Sequence, residues 1–595
     1  MRNFTRSPWR TALLLLLTGL VISGFALSLS GQGEVSWGGD PTLFFWNTLP
    51  VLLMLFFLWL LTGFSWLSSL ITGGGVFLLA VSNYFKVLYR SEPVVWEDLT
   101  LLQEAGQMAE EYSMTLTPQM WAFAGAILVC SVLLFFLGKG RPGPTPRLLT
   151  LTAAGLACLL FVEEVCPNED RYEALAGDYM GSQAYAATGL VYPFLYSYGE
   201  YEREHAAYNA PQAEAILAEY TDGVIPEEKK VNLVTIQLEA FADLSVYDIE
   251  GISPSVYDDF HALLAESYSG TLVTDVFAGG TTETEWALIT GGNRHDDFAL
   301  ETNSAAWYLK SQGYTANGSH PCNQWFYDRL HVNPNLGLDD YLFTENYYYQ
   351  FVPEGQNVAY DDVFFPDLED RLEEHFRTSG DPLFSFNVTY QGHGPYNEEF
   401  TYWGSSYCTG DYPEAISNVL NHYLYLVKDT ADRVTGFLDF LEGQEEPVVL
   451  LLYGDHKPWM GFNGAYYEAL GISLDTSTTE GFLNYYSTWY AIWANPAAKE
   501  VLGQDFVGQG PDLSPCFLMN EVFELCGWEG SAYMQAQRET AEALPVLHTT
   551  GWVKEKGVYR PEASEEGKAL VDRFQNLSWY DRTNFGTLQD VKELT

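Results

Sequence analysis

The chain of 595 residues is too long for one ordinary domain, and its 78 acidic against 29 basic residues give a formal net charge of −49. That balance excludes a nucleic-acid binder, which needs a basic face for phosphate backbones. Hydrophobic residues at 47 % exclude a disordered acidic tail protein.

The charge is unevenly placed. Residues 1–163 hold 8 bases and 9 acids, whereas the following 432 residues hold 21 and 69. A near-neutral apolar quarter before an acidic remainder is the composition of a membrane anchor carrying a soluble domain. At about 20 residues per crossing, the uncharged run 11–29 predicts one span and the charge-free stretch 41–85 predicts two, with a turn near Gly63. Residues 112–138 and 148–162 supply a fourth and a fifth. The first run also has the composition of a cleaved signal peptide, but its length and the spans after it favour a permanent crossing. Arg2, Arg6 and Arg10 precede the first span, and Lys139, Arg141 and Arg147 lie between the last two. The positive-inside rule therefore places the amino terminus in the cytoplasm and the carboxyl-terminal domain outside the cell membrane. Lys86 and Arg90 oppose this, but Glu92, Glu97 and Asp98 follow at once.

Beyond the spans, residues 164–229 read as a juxtamembrane connector with one helix near 211–220 and a charged exit, PEEKK. Residues 230–540 alternate short β-branched apolar runs with helical stretches, the pattern of a mainly parallel α/β sheet. Residues 541–595 are polar and are expected to wrap the surface. The seven cysteines show no CxxC or zinc-type spacing, and Cys130 and Cys158 fall inside predicted spans. Cys516 and Cys526 are the nearest pair outside the spans, open to a disulfide or to two buried thiols.

Three apolar runs end in potential ligands: VNLVTIQLE at Glu239, LFSFNVTYQGH at His393, and VVLLLYGDH at Asp455 and His456. Sites in open α/β sheets form at the carboxyl ends of strands, and two carboxylates with two imidazoles there suit a hard-to-borderline divalent ion. Each residue alone has an ordinary reading as a turn residue; Asp455-His456 directly after five apolar residues is the least ordinary. In AGGTTETEWALITGG, residues 278–292, Gly279 and Gly280 allow a tight turn, and Thr281 or Thr282 is placed to cap the next helix. Free N–H groups at that helix start would face a phosphate, and a hydroxyl touching a metal there is a candidate nucleophile. A plain Gly-Gly turn with a threonine cap is the alternative. Residues 318–341 bring together His320, Trp325, Tyr327 and Arg329, where Arg329 can hold phosphate oxygens in a bidentate fork and His320 can add a second donor.

In order and spacing, QLE at 237–239, GGTTETE at 279–285, HPCNQWFYDR at 320–329, QGHGPY at 391–396 and YGDH at 453–456 resemble the lipoteichoic acid synthase family. Its members are membrane-anchored polyglycerolphosphate transferases with a sulfatase-like fold in the alkaline phosphatase superfamily. The resemblance implies a multi-span α-helical membrane domain followed by an extracellular α/β sulfatase-like domain. It implies that Glu239, Thr281, Asp455 and His456 hold one Mn²⁺ ion, with Mg²⁺ possible. It aligns Thr281 with the catalytic nucleophile, Arg329 with the substrate-binding arginine, and His320 and His393 with substrate-site histidines. Cys322 and Tyr327 stand where some synthases have Asp and Trp, at positions that contact the glycerol end.

The implied reaction takes phosphatidylglycerol as donor. Thr281 attacks the phosphodiester, diacylglycerol leaves with His393 as a candidate proton donor, and a glycolipid or glycerol-phosphate chain hydroxyl accepts the group. Sulfatase chemistry is excluded by the lack of a C/S-x-P-x-R string, because threonine cannot become formylglycine. Transfer of phosphoglycerol or phosphoethanolamine to another envelope glycan, or a non-catalytic membrane scaffold, are the remaining alternatives.

Overall fold

The computed structural model describes residues 7–30, 41–90, 93–99, 115–140, 144–176, 185, 187–205, 208–293, 298, 300–353, 356–400, 406–461 and 464–585. The chain forms two compact units, Met1–Ala206 and Ala207–Thr595.

In the first unit α1 (Pro8–Ser30), α2 (Pro41–Thr62), α3 (Ser65–Arg90), α4 (Pro118–Leu137) and α5 (Pro144–Leu160) match the expected spans. Each contributes a stretch long and apolar enough to cross a membrane. Gly63, at φ +76°, makes the expected turn, since only glycine enters that region without a β-carbon penalty. Arg147 donates to the carbonyls of Leu60 and Leu61, capping the end of α2. Lys86, whose charge opposed the orientation rule, is paired with Asp98 at 2.8 Å. Arg2, Arg6, Arg141, Glu92 and residues 112–114 lie outside the described residues.

The connector is more helical than its sequence suggests, with α6 (Glu169–Ala176), α7 (Val191–His205) and α8 (Ala210–Leu217). Sequence periodicity missed α7 because its start is fixed from afar. Asn47 of α2 accepts from the backbone N–H groups of Leu190, Val191 and Tyr192 and donates to the Thr188 carbonyl.

The second unit is built on a seven-stranded mixed sheet in the order β3-β4-β1-β5-β6-β2-β7. The strands are β1 (Asn232–Leu238), β2 (Tyr268–Val273), β3 (Thr315–Ser319), β4 (Leu383–Val388), β5 (Val448–Gly454), β6 (Ser487–Ala494) and β7 (Gly508–Gln509). β3, β4, β1 and β5 run parallel; β6 is antiparallel to both β5 and β2. Strands buried on both faces read as continuous apolar runs, which is why β1, β4 and β5 stood out in the sequence. In β5, Val449, Leu451 and Tyr453 enter the core that holds α9 (Thr281–Thr290). Val448, Leu450 and Leu452 enter the opposite core, formed with α10 (Asp361–Thr378) and α11 (Glu414–Glu442). Because β4, β1 and β5 are parallel and adjacent, their carboxyl ends open at one edge.

Of the segment 541–595, expected to wrap the surface, the described residues 541–585 include β8 (Val546–Leu547), β9 (Val553–Glu555) and β10 (Val558–Arg560). These precede a helix, Glu565–Asn584, and the segment buries Leu544, Leu547, Val553 and Phe574 in the core. Cys516 and Cys526 are buried free thiols on one helix, Pro515–Cys526. Ten residues of helix separate them by about 15 Å, beyond the reach of a disulfide.

Candidate active site

Glu239 follows β1, and Asp455 and His456 follow β5, with Leu238 of β1 paired to Gly454. Ala240, at φ +50°, turns the chain so that its N–H donates to Asp455 Oδ1 at 2.8 Å, tying the two strand ends together. The exit of β4 crosses the same place. A β-carbon on Gly392 would meet the Glu239 carbonyl oxygen at 1.8 Å, so only glycine fits the QGH turn.

Glu239, Asp455 and His456 are all buried, and each has a ligand atom within 4.8 Å of the others. His456 Nε2 is 3.3 Å from Asp455 Oδ2 and 3.7 Å from Glu239 Oε1. Its Nδ1 faces the Lys457 carbonyl at 2.9 Å, which makes Nδ1 the protonated nitrogen and leaves the Nε2 lone pair pointing at the carboxylates. Asp455 Oδ1 accepts from the N–H groups of Ala240 and His456, but Oδ2 is buried with no hydrogen-bond partner. Burial, and then the Asp455 carboxylate, push the Glu239 pKa up to about 8. Two carboxylates, an inward lone pair and an orphaned oxygen fit a divalent cation, which would supply the missing positive charge.

Thr281 joins this group. Its Oγ1 donates to Glu239 Oε2 at 3.1 Å and lies 3.4 Å from His456 Nε2. Neither threonine caps α9. The cap residue is Gly280 at φ +79°, with no side-chain cap, so Thr281 is the first helical residue and its hydroxyl is released toward the carboxylates. Thr282 Oγ1 is buried without a partner.

The other expected residues sit around this centre. His320 is buried, with Nδ1 on the Val388 carbonyl at 3.1 Å, and burial and then Arg329 hold its pKa well below the usual histidine value. It is therefore neutral, and its Nε2 is an acceptor rather than the second donor the sequence suggested. His393 is exposed and stands outside the carboxylate cluster, stacked on Tyr390 with ring centroids 4.9 Å apart. Its Nδ1 lies 2.6 Å from the Gly394 carbonyl. Tyr327 lies over the Arg329 guanidinium at 5.4 Å, and Cys322 is buried.

Arg329 is 0 % exposed, and its Nε and Nη2 are engaged by Glu285 at 3.2 and 2.8 Å. Burial opposes the guanidinium charge, but the Glu285 carboxylate outweighs it and raises the Arg329 pKa. The sequence reading passed over Glu285, although its spacing four residues after Thr281 puts both on one helical face. It also passed over Lys457, whose buried Nζ donates to the Tyr247 hydroxyl at 3.0 Å. Burial lowers the Lys457 pKa to about 8.

Residues 232–486 match the sulfatase family model. Among curated proteins, a putative cyclic beta-1,2-glucan modification protein of Rhizobium meliloti (strain 1021) is 25 % identical over 321 residues, 51 % of this chain and 47 % of its own. The capsular polysaccharide biosynthesis protein RkpI of the same organism is 23 % identical over 260 residues, covering 41 % of this chain and 44 % of its own. The chain spans about half the length of the curated relatives it matches. Solved structures to which the chain is similar include the Streptococcus pyogenes phosphoglycerol transferase GacH in complex with sn-glycerol-1-phosphate (TM-score 0.47, 16 % identity, 66 % of this chain and 96 % of that one). The lipoteichoic acid synthase LtaP from Listeria monocytogenes (0.43, 16 %, 64 % and 98 %) is another. So is the lipooligosaccharide phosphoethanolamine transferase A from Neisseria meningitidis (0.45, 13 %, 88 % and 96 %). The chain thus joins five apolar helices to a sulfatase-like α/β domain, the architecture its sequence predicts.

Proposed function

We propose that this chain is a metal-dependent phosphoglycerol transferase of the lipoteichoic acid synthase type, anchored in the cell membrane with its catalytic domain outside. The observation that carries the reading is the Thr281 hydroxyl, set 3.1 Å from Glu239 Oε2 and 3.4 Å from His456 Nε2 beside an orphaned Asp455 oxygen. Glu239, Asp455 and His456, with Thr281, would hold Mn²⁺ or Mg²⁺, which supplies Lewis acidity that lowers a hydroxyl pKa and stabilises phosphoryl charge.

The residues around it divide the remaining work. Glu239 Oε2 takes the Thr281 hydroxyl hydrogen bond and so turns an oxygen lone pair toward the donor phosphorus. Thr281 Oγ1 forms the new P–O bond as its proton passes to Glu239 and the bond to diacylglycerol breaks, leaving glycerophospho-Thr281. His393 is exposed with Nδ1 engaged by the Gly394 carbonyl, so it is a candidate proton donor to the departing alkoxide through Nε2 when the ring is in its imidazolium form. The acceptor hydroxyl, from a glycolipid or a glycerol-phosphate chain, then attacks phosphorus, the P–O bond to Thr281 breaks, Glu239 returns the proton to Thr281 Oγ1, and the acceptor's proton passes to His393, restoring its imidazolium. Arg329 holds the non-bridging oxygens, and Tyr327 and His320 line the glycerol end, where a neutral His320 accepts a hydroxyl hydrogen bond. Formylglycine chemistry is unavailable to Thr281, and the chain has no C/S-x-P-x-R string.

A second reading, transfer to another envelope glycan, is favoured by the two relatives described by glucan modification and capsular polysaccharide biosynthesis. Incubating membranes that contain the protein with phosphatidylglycerol labelled in its headgroup tests both. Label in a glycerol-phosphate polymer or glycolipid supports the first reading, label in a glycan supports the second, and no transfer contradicts both.

A further inference from the structure

Arg329 leaves a backbone that does not hold itself in place. Tyr327 and Asp328 both have φ +55°, a region that side chains with a β-carbon rarely occupy and that persists only where the surroundings enforce it. Asp328 is anchored to His331 Nδ1 at 2.6 Å. The guanidinium is anchored by Glu285, 44 residues earlier in the chain, through Nε and Nη2. A bidentate pair fixes both the position and the plane of a guanidinium, which a single contact does not. Glu285 is also one helical turn from Thr281 on α9, so one rigid element carries the hydroxyl and the carboxylate that holds the arginine. Among the described residues, the Arg329 Nη1 makes one long hydrogen bond, 3.4 Å to the Phe326 carbonyl, and the guanidinium lies over the Tyr327 ring.

We propose that Glu285 is a positioning residue: it clamps Arg329 to the nucleophile helix so that the Nη1 edge meets the phosphoryl group transferred at Thr281. The proposal rests on the Thr281 reading above. The incoming phosphoryl oxygen takes the place of the long Phe326 contact, and the Tyr327 ring shifts to admit it. Glu285 itself touches neither substrate nor cation.

The test is a double-mutant cycle on the full-length protein in proteoliposomes, with headgroup-labelled phosphatidylglycerol. Glu285→Gln is expected to lower kcat about 10²-fold with KM little changed, the cost of misplacing a catalytic group by about 1 Å. In an Arg329→Gln background the same change should cost less than about threefold, because residues acting as one unit are not additive. Bound Mn²⁺ should be equal in all four proteins. Glu285→Asp, which keeps the charge and guards against misfolding of the glutamine variant, should recover at least about tenfold of the lost kcat at an unchanged melting temperature. Full kcat in Glu285→Gln, equal losses in both backgrounds, or no recovery in Glu285→Asp overturns the proposal. Thr281→Ala run alongside separates the two ideas. Full activity there defeats the nucleophile reading, whereas an inactive Thr281→Ala beside a fully active Glu285→Gln defeats only the clamp.

Discussion

The Glu285–Arg329 pair and the Glu239–Asp455–His456 group lie in the same domain, are buried alike, and are built in opposite ways. In the first, each charge meets its opposite through short, charge-assisted hydrogen bonds, so the several kcal/mol of desolvation per ion are largely offset. In the second, two carboxylates share one imidazole, and Asp455 Oδ2 has no hydrogen-bond partner among the described residues. A closed pair holds shape, and an open cluster holds a place for a missing charge. That contrast gives each region its role.

The most severe way to break the contrast is to remove the hydroxyl that the open cluster orients. Thr281→Ala should reduce transfer at least about 10³-fold, the scale seen when a nucleophile is lost. Its melting temperature should stay near that of the wild type, because the side chain is small and its partners retain the cation. Chelation comes next. Activity should vanish and return with Mn²⁺ before Mg²⁺, since an imidazole among carboxylates softens the site. The measurement is labelled transfer with elemental analysis at each step, and activity in a metal-free sample would defeat the reading.

The contrast sharpens when stability is read without the metal. Asp455→Asn removes an uncompensated buried charge, so it should raise the melting temperature of the metal-free protein while abolishing Mn²⁺ stabilisation. About 1–3 kcal/mol is the expected gain. Glu285→Gln should move stability the other way, because it strands the Arg329 charge. The pH dependence follows the same logic. Glu239 has a folded pKa of about 8 against an ordinary value of 4.5, so the folded state keeps a proton that the unfolded chain has lost. Its contribution is complete below pH 4.5 and disappears as pH rises through about 8. The metal-free melting temperature should therefore fall over that window, and saturating Mn²⁺ should flatten the decline. An equal slope with and without Mn²⁺ would contradict this. The smallest effect is expected for Thr282→Ala, whose hydroxyl is buried and unpartnered. Transfer should stay within about threefold of wild type.

Much of this was legible in the sequence, for identifiable reasons. Buried parallel strands leave continuous apolar runs, so β1, β4 and β5, and the clustered Glu239, Asp455 and His456 at the ends of β1 and β5, could be found by eye. Lipid-length apolar runs gave the five spans, and Gly63 marked the turn between α2 and α3. What stayed hidden depends on long-range pairing. The Glu285–Arg329 clamp joins residues 44 apart, and the Asn47 cap of α7 joins residues 144 apart. Neither leaves a local pattern. The antiparallel insertion of β6 beside β5 is likewise a matter of topology rather than of composition. The helix cap failed for a subtler reason. Glycine at 280 and threonine at 281 both suit a cap, and only the backbone at φ +79° decides that Gly280 takes it, leaving Thr281 free to face the carboxylates.

The central claim, that the open cluster prepares Thr281 to take the phosphoglycerol group, has one direct test. The full-length protein with Mn²⁺ is incubated with headgroup-labelled phosphatidylglycerol in the absence of acceptor, quenched in acid, digested, and its peptides are sequenced by mass spectrometry. The account predicts label on the peptide containing Thr281, located to Thr281 rather than Thr282, and chased off by added acceptor. Label on another residue, or efficient transfer with no labelled peptide at any time, would contradict it.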